Sequence, residues 1–247
     1  MAEASTAVFL ADYQPFTHLV DTVDLTFRLD PKATRVRARI AFRPNPDRPG
    51  RHPLRLDGEG LKLVWCLLDG KEVKPKLDKR GLTLPAKALP DGPFTLETEV
   101  EIAPEGNTAL EGLYMSKGMY CTQCEAEGFR KITYYPDRPD VMARFKVRIE
   151  GALPVLLSNG NPVAKGKGWA EWTDPWPKPS YLFALVAGDL RARSGVFRTF
   201  SGRKVKLNVW VRPGDEGRCA YALDSLVRSM KWEEEVYGRE YDLDVFN

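Results

Sequence analysis

Two cysteines three positions apart, Cys121 and Cys124, sit in a segment that also carries Gln123, Glu125, Glu127 and Arg130, followed by the Pro-Asp-Arg-Pro-Asp run at 136–140. A Cys-x-x-Cys pair serves chemistry in two ways, as half of a zinc knuckle or as a redox dithiol. Zinc needs two further ligands at matching spacing, and the sequence offers only Cys66, Cys219, His18 and His52, all distant. A redox dithiol needs an electropositive setting that favours the thiolate, which Glu125 and Glu127 oppose. The pair is therefore expected to be two structural thiols or an incidental disulfide. The second available chemistry is charge-assisted binding. A carboxylate within hydrogen-bond reach of an ammonium holds it strongly, so the set Gln123, Glu125 and Glu127 suits a free amine. One of these carboxylates could equally pair with Arg130 or another arginine as a structural ion, and spacing leaves the two open.

Nucleophilic catalysis finds little to work with. The histidines are only His18 and His52, in strand or turn contexts where each is expected at the surface or in a turn, and no G-x-S-x-G motif occurs. A glycine-rich phosphate loop is also missing from the sequence. Trp169, Trp172 and Trp176 could form a carbohydrate platform, but their interleaving with prolines beside an apolar run favours core and edge packing.

The elements that must position these groups read as strands. Residues 20–42 alternate, with Val23, Leu25, Phe27 and Leu29, then Val36, Ala38, Ile40 and Phe42, around an Asp-Pro-Lys turn, which predicts an antiparallel hairpin buried on one face. Asp-Gly at 57, 69 and 91 and Arg-Gly at 80 mark turns about every dozen residues, so an all-β sandwich or saddle-shaped sheet is expected. Further strands are predicted at 143–149, 155–159, 169–172 and 181–187, the last apolar on both faces and deep in the core. The segment 107–145, rich in glycine, aromatic and polar residues, reads as a shaped loop that presents groups to a ligand or to another domain. A second hairpin follows from 196 to 211. One clear helix is expected over 215–237, with Asp215 as its N-cap, Leu223, Leu226, Val227, Met230 and Tyr237 on one stripe, and Gly238 as terminator. The run at 241–247 starts as a strand and stops. That suggests either a second domain cut off after its first elements or a complete domain with a docked helix.

Composition narrows the partners. The 37 basic and 34 acidic residues of this 247-residue chain are scattered, and a net charge of +3 without a basic block argues against nucleic acid or an anionic membrane. The first residues show neither a secretory signal nor a membrane-spanning run, so a cytoplasmic location is expected. Four cysteines do not make a disulfide framework in a chain of this size.

The motifs NTALEGLY at 107–114, CTQCEAEGFRKITYYPDRPDVMARF at 121–145, LLSNGNPVA at 156–164 and DPWPKPSYLFALVAGDL at 174–190 resemble the N-terminal portion of the bacterial aminopeptidase N family, zinc-dependent gluzincin metallopeptidases. The resemblance runs from FLADYQPF near the start to the SMKWEEEVYGREYDLDVFN ending. It implies a mainly β N-terminal domain over 1–190, followed over 191–247 by the first hairpin and helix of a thermolysin-like α+β catalytic domain. It further implies that Glu125 binds the substrate's free α-amino group and that Gln123 lines the pocket for the first side chain. The likeness also shows a departure. The family's G-A-M-E-N and H-E-x-x-H motifs, its downstream glutamate ligand and its catalytic tyrosine do not occur here, and neither His18 nor His52 has a partner one helical turn away.

The expectation is thus a segment of a longer Zn2+ enzyme that removes N-terminal residues from peptides. The segment would hold part of the amine site but no metal, no catalytic residue and no activity of its own, its partners being free-amine peptides and the rest of its own chain. The alternative from a different class is a stand-alone β-sandwich module that binds a peptide or carbohydrate.

Overall fold

The chain is described from a computed structural model over residues 9–247. Residues 1–8, which make up half of the N-terminal stretch read as neither signal nor span, lie outside the described residues. Among the described residues no helix is long and apolar enough to cross a membrane.

The alternation at 20–42 becomes the centre of an eight-stranded sheet. His18–Arg28 pairs antiparallel with Thr34–Pro44, and Val23, Leu25, Phe27, Val36, Ala38, Ile40 and Phe42 are all buried. Between the strands, Asp30 Oδ1 accepts hydrogen bonds from the backbone N–H groups of Lys32 (2.8 Å) and Ala33 (2.9 Å), an Asx turn written by the Asp-Pro-Lys sequence. On one side the sheet continues through Phe94–Ile102, Lys62–Leu68 and the short Lys71–Glu72; on the other through Ala143–Glu150, Trp169–Lys178 and Asn161–Gly166. Every neighbour is antiparallel except one. His18–Arg28 runs parallel to Ala143–Glu150, and the chain between them supplies four strands on the other side of this sheet before it returns through Gly112–Ser116 and Met119–Gln123 of a smaller one. On the solvent face, Arg35 meets Glu101 at 2.8 Å and Lys62 meets the same carboxylate at 2.9 Å, so the basic side chains of these strands are answered from the neighbouring one.

Two smaller sheets pack on the buried face and share its core. One consists of Leu54–Asp57, Gly81–Leu84 and Lys76–Asp78; the other of Val155–Ser158, Leu185–Gly188, Met119–Gln123 and Gly112–Ser116. Asp69 (φ 48°) and Gly70 (φ 75°) form the two-residue hairpin loop predicted for Asp-Gly. Asp57-Gly58 does something else. Asp57 ends a strand and exchanges backbone hydrogen bonds with Tyr135, while the ring of Tyr134 packs so close to Gly58 that a Cβ there would lie 2.4 Å from it.

Several expectations are corrected. The run at 181–187 is not one buried strand: a 3-10 turn at Ser180–Leu182 precedes a strand that begins only at Leu185, and Leu182 is half-exposed. Pro179 directs the chain out of the ladder, so the apolar run divides between turn and strand. The segment 107–145 is not simply a loop, since Leu113, Tyr120, Phe129, Ile132, Tyr134, Tyr135 and Val141 belong to the core. His18 is buried against Phe16, Phe42 and Phe94, with ring centroids 5.5 to 6.4 Å away, rather than at the surface, because its position in the strand alternation points it inward.

The last elements form a second apolar cluster. Arg191–Arg198 and Lys204–Val211 make an antiparallel hairpin, Val245–Phe246 adds a parallel third strand, and the helix Ala220–Tyr237 covers Phe197, Val205 and Leu207 with Met230, Leu223, Leu226 and Val227. Tyr237 does not join this stripe. It is exposed, its ring edge-on to Trp232, and buried Glu234 takes the inward position on the last turn. Asp215 opens a 3-10 turn at Glu216–Cys219 and makes no side-chain cap; the α-helix begins only at Ala220, with Cys219 at its N-cap position. Gly238 ends the helix in the left-handed conformation (φ 62°), as its type predicts.

Two measurements check this packing. Phe129 is fully buried and edge-to-face with Tyr135, Phe145 and Phe183, so Phe129→Ala should cost about 3–5 kcal/mol of unfolding free energy in urea titrations; a loss below about 1 kcal/mol would refute its place at the core's centre. Burial holds the His18 imidazole below its ordinary pKa, with the charge of His52 adding, so the folded state prefers it neutral. Its contribution is complete above the ordinary value near 6.5 and is lost as pH falls below that. The pH dependence of stability between 7.5 and 5 should flatten in His18→Gln, and an unchanged slope would contradict the assignment.

Candidate functional site

The hairpin of Gly112–Ser116 and Met119–Gln123 carries the candidate residues to the edge of the core. Its register pairs Gln123 with Gly112, and Thr122 Oγ1 accepts a hydrogen bond from the backbone N–H of Leu185 at 2.8 Å. That side chain extends the ladder just where backbone pairing with Leu185–Gly188 stops. The chain then turns through 124–128 into a 3-10 turn at Phe129–Lys131.

Alternation persists across the strand end. Gln123 and Glu125 are exposed, while Cys124 between them is buried. Gly128 closes the turn by donating its N–H to the Cys124 carbonyl at 2.9 Å. A Cβ on Gly128 would stand 2.2 Å from the Gln123 carbonyl oxygen, so only glycine allows this approach. Gln123 Nε2 donates to the backbone carbonyl of Glu125 at 3.2 Å, which links the two candidate residues directly. The peptide bond between Glu125 and Ala126 is cis.

The ionic alternatives divide between the two glutamates. Glu127 pairs with Arg130 at 3.2 Å, whereas Glu125 forms no ion pair among the described residues. Arg130 is held from behind. Its backbone N–H and its Nε both donate to Asp137 Oδ2 at 3.1 Å, and an Nη donates to the Asp137 carbonyl at 3.1 Å. Ser180 donates to the other carboxylate oxygen of Asp137 at 2.6 Å, and the Asp137 N–H donates to Asp57 Oδ2 at 3.1 Å. Burial alone would lower the Arg130 pKa; its hydrogen bond to Asp137 and the charges of Asp57 and Glu127 outweigh it and raise it. Burial pushes the Asp57 carboxyl up, opposed by Arg130 and by the Asp137 N–H.

Asp137, Asp57 and Ser180 were not singled out from sequence. Asp137 lies in a proline-flanked polar run that reads as surface, yet its side chain is 1 % exposed. The available signal was Arg130 itself, an arginine within a run of buried aromatics, which calls for an internal anion.

The thiols do not suit redox chemistry. All four cysteines are free, and Cys124 is pushed up to about 12, first by burial and then by the charge of Asp137. Burial also raises Cys121, with Arg212 pulling the other way. A thiol so protonated is a poor nucleophile and a poor metal ligand. Nor do the residues present fit a zinc ion: His18 lies in an aromatic box, His52 lies at a turn against the Pro49 carbonyl, and no cluster of three or more His, Cys, Asp or Glu among the described residues has metal-binding geometry. A cavity of about 830 Å³ opens elsewhere, lined by Met119, Val186, Trp210, Arg212, Leu226 and Phe246, and Glu125 is not part of it.

Known proteins resemble the chain along nearly its whole length. The Peptidase M1 N-terminal domain family matches residues 23–182. Aminopeptidase N of Caulobacter vibrioides is 56 % identical over 250 residues, 97 % of this chain and 28 % of that protein; aminopeptidase N of Escherichia coli is 46 % identical over 259 residues, 100 % of this chain and 29 % of that protein. Among solved structures, Legionella pneumophila aminopeptidase A in complex with aspartic acid superposes with a TM-score of 0.89 at 35 % identity, over 96 % of this chain and 29 % of that one. The chain therefore spans less than a third of the length of each of these three relatives, and it belongs to the peptidase M1 N-terminal domain family, corresponding to the N-terminal portion of bacterial aminopeptidase N.

Proposed function

We propose that this chain is the amine-recognising portion of a longer, cytoplasmic zinc aminopeptidase that removes N-terminal amino acids from peptides. The observation that carries the reading is the state of Glu125: exposed on the turn that follows a strand, next to a buried anchor, and without an arginine partner among the described residues. An exopeptidase must tell a free ammonium from an internal amide, and a fixed carboxylate does so through a charge-assisted hydrogen bond that an amide N–H does not match. Gln123 shapes the neighbouring surface for the first side chain, its amide tied to the Glu125 carbonyl.

Zinc, the general base and the group that stabilises the tetrahedral intermediate belong in this reading to the remainder of the enzyme. The division at 190/191 into an N-terminal β-domain and the first elements of a catalytic domain is supported by the separate apolar cluster of Phe197, Val205, Leu207 and Met230. The partners are free-amine peptides and the rest of the same polypeptide.

In the full-length enzyme, Glu125→Ala should lower kcat/KM for free-amine substrates by about 1.5–3 kcal/mol, roughly tenfold to 150-fold, mainly through KM. Unchanged kinetics would remove the role. The 247-residue chain by itself should hold less than stoichiometric zinc by metal analysis and should not cleave aminoacyl substrates, and one tightly held zinc per chain would contradict the reading.

A further inference from the structure

Glu125 is exposed, and an exposed glutamate on a turn ordinarily samples many positions. The turn that carries it is nevertheless fixed at both ends by groups that touch no substrate. At its start, Cys124 is buried and Gly128 packs against the Gln123 and Cys124 backbone. At its end stands Arg130, with every polar part engaged. The backbone N–H, Nε and Nη2 reach Asp137, Nη1 reaches Glu127, and the carbonyl accepts from the N–H of Glu59 at 3.0 Å. Asp137 is in turn gripped by Ser180 at 2.6 Å, and its own N–H is donated to Asp57. A planar guanidinium reaches the inner and the outer carboxylate through separate nitrogens in a fixed fork, a geometry that the single nitrogen of an ammonium does not reproduce.

We infer that Arg130, clamped by Asp137 and Ser180 and gripping Glu127, is the positioning residue that fixes the Glu125 turn for recognition of the substrate ammonium. The inference rests on the amine-binding reading of Glu125 and assigns to that site a support from behind. Holding the turn still before substrate arrives avoids ordering it during binding, so the clamp acts on KM more than on kcat. A merely structural arginine would change stability and the amount of active enzyme, and its effect would be independent of Glu125.

A double-mutant cycle in the full-length enzyme separates the two. Arg130→Gln should raise KM for a free-amine substrate about fivefold with kcat changed by less than about twofold, and in a Glu125→Gln background the same change should leave KM unaltered. Arg130→Lys keeps the positive charge beside Asp57 and Asp137, so it serves if the glutamine variant does not fold. It should melt near the parent temperature and still raise KM about threefold, because it loses the fork. A KM rise of equal size in both backgrounds, or a lysine variant with parental KM, overturns the positioning role. If Glu125→Gln alone leaves KM unchanged, the amine-binding reading itself fails, which is a different result from either.

Discussion

A buried carboxylate facing a nearly buried guanidinium sets the shape of this region. Asp137 and Arg130 expose 1 % and 15 % of their side chains, and breaking such a pair by removing one partner generally costs about 3–5 kcal/mol because it strands the other charge. The pair persists because every remaining valence is met: Ser180 on the second carboxylate oxygen, the Arg130 backbone N–H on the first, and Glu127 on the outer side of the guanidinium. Three distant stretches of sequence, around 57, 130 to 137, and 180, are thereby fixed relative to one another. The exposed glutamate five residues before Arg130 inherits that rigidity.

The fold explains why these stretches meet. Between His18–Arg28 and its parallel neighbour Ala143–Glu150, the chain also builds strands of the smaller sheets, which pack on the buried face of the large sheet. On that face Phe129, Tyr135, Phe145 and Phe183 form a continuous aromatic contact at centroid distances of 5.1 to 6.2 Å. Phe129 anchors the 3-10 turn that holds Arg130, and Phe183 follows the turn that holds Ser180. Apolar burial thus brings the polar clamp together, and the clamp in turn fixes which residues face solvent.

The strands and hairpins of the large sheet were legible because period-two alternation and an Asp-Gly or Asp-Pro-Lys turn act locally. Gly238 was legible as a helix terminator for the same reason. What could not be read locally was read wrongly: His18 as surface, 181–187 as one strand, Asp215 as a side-chain cap, Tyr237 as part of the packed stripe. His18 faces an aromatic box, Pro179 leads the 180–182 turn, the α-helix starts at Ala220 after a 3-10 turn, and buried Glu234 takes the inward position in place of Tyr237. At the site, the residues alone mark Gln123, Glu125 and Glu127 as a group suited to an amine but leave amine binding and ion pairing open, and the separate roles of Glu125 and Gln123 are what the family resemblance implies. In the structure Glu127 takes Arg130, while Glu125 is exposed and forms no ion pair among the described residues. The Pro-Asp-Arg-Pro-Asp run carries no local sign that the Asp137 side chain is buried.

The central claim is that Glu125 recognises a positive charge rather than a shape. It is tested most directly by comparing, in the full-length enzyme, inhibition by an amino acid with inhibition by the same acid lacking its amine. The parent should strongly prefer the amine-bearing compound, and in Glu125→Gln that preference should collapse to near equality. A preference that survives the substitution undiminished would show that the ammonium is held by something else.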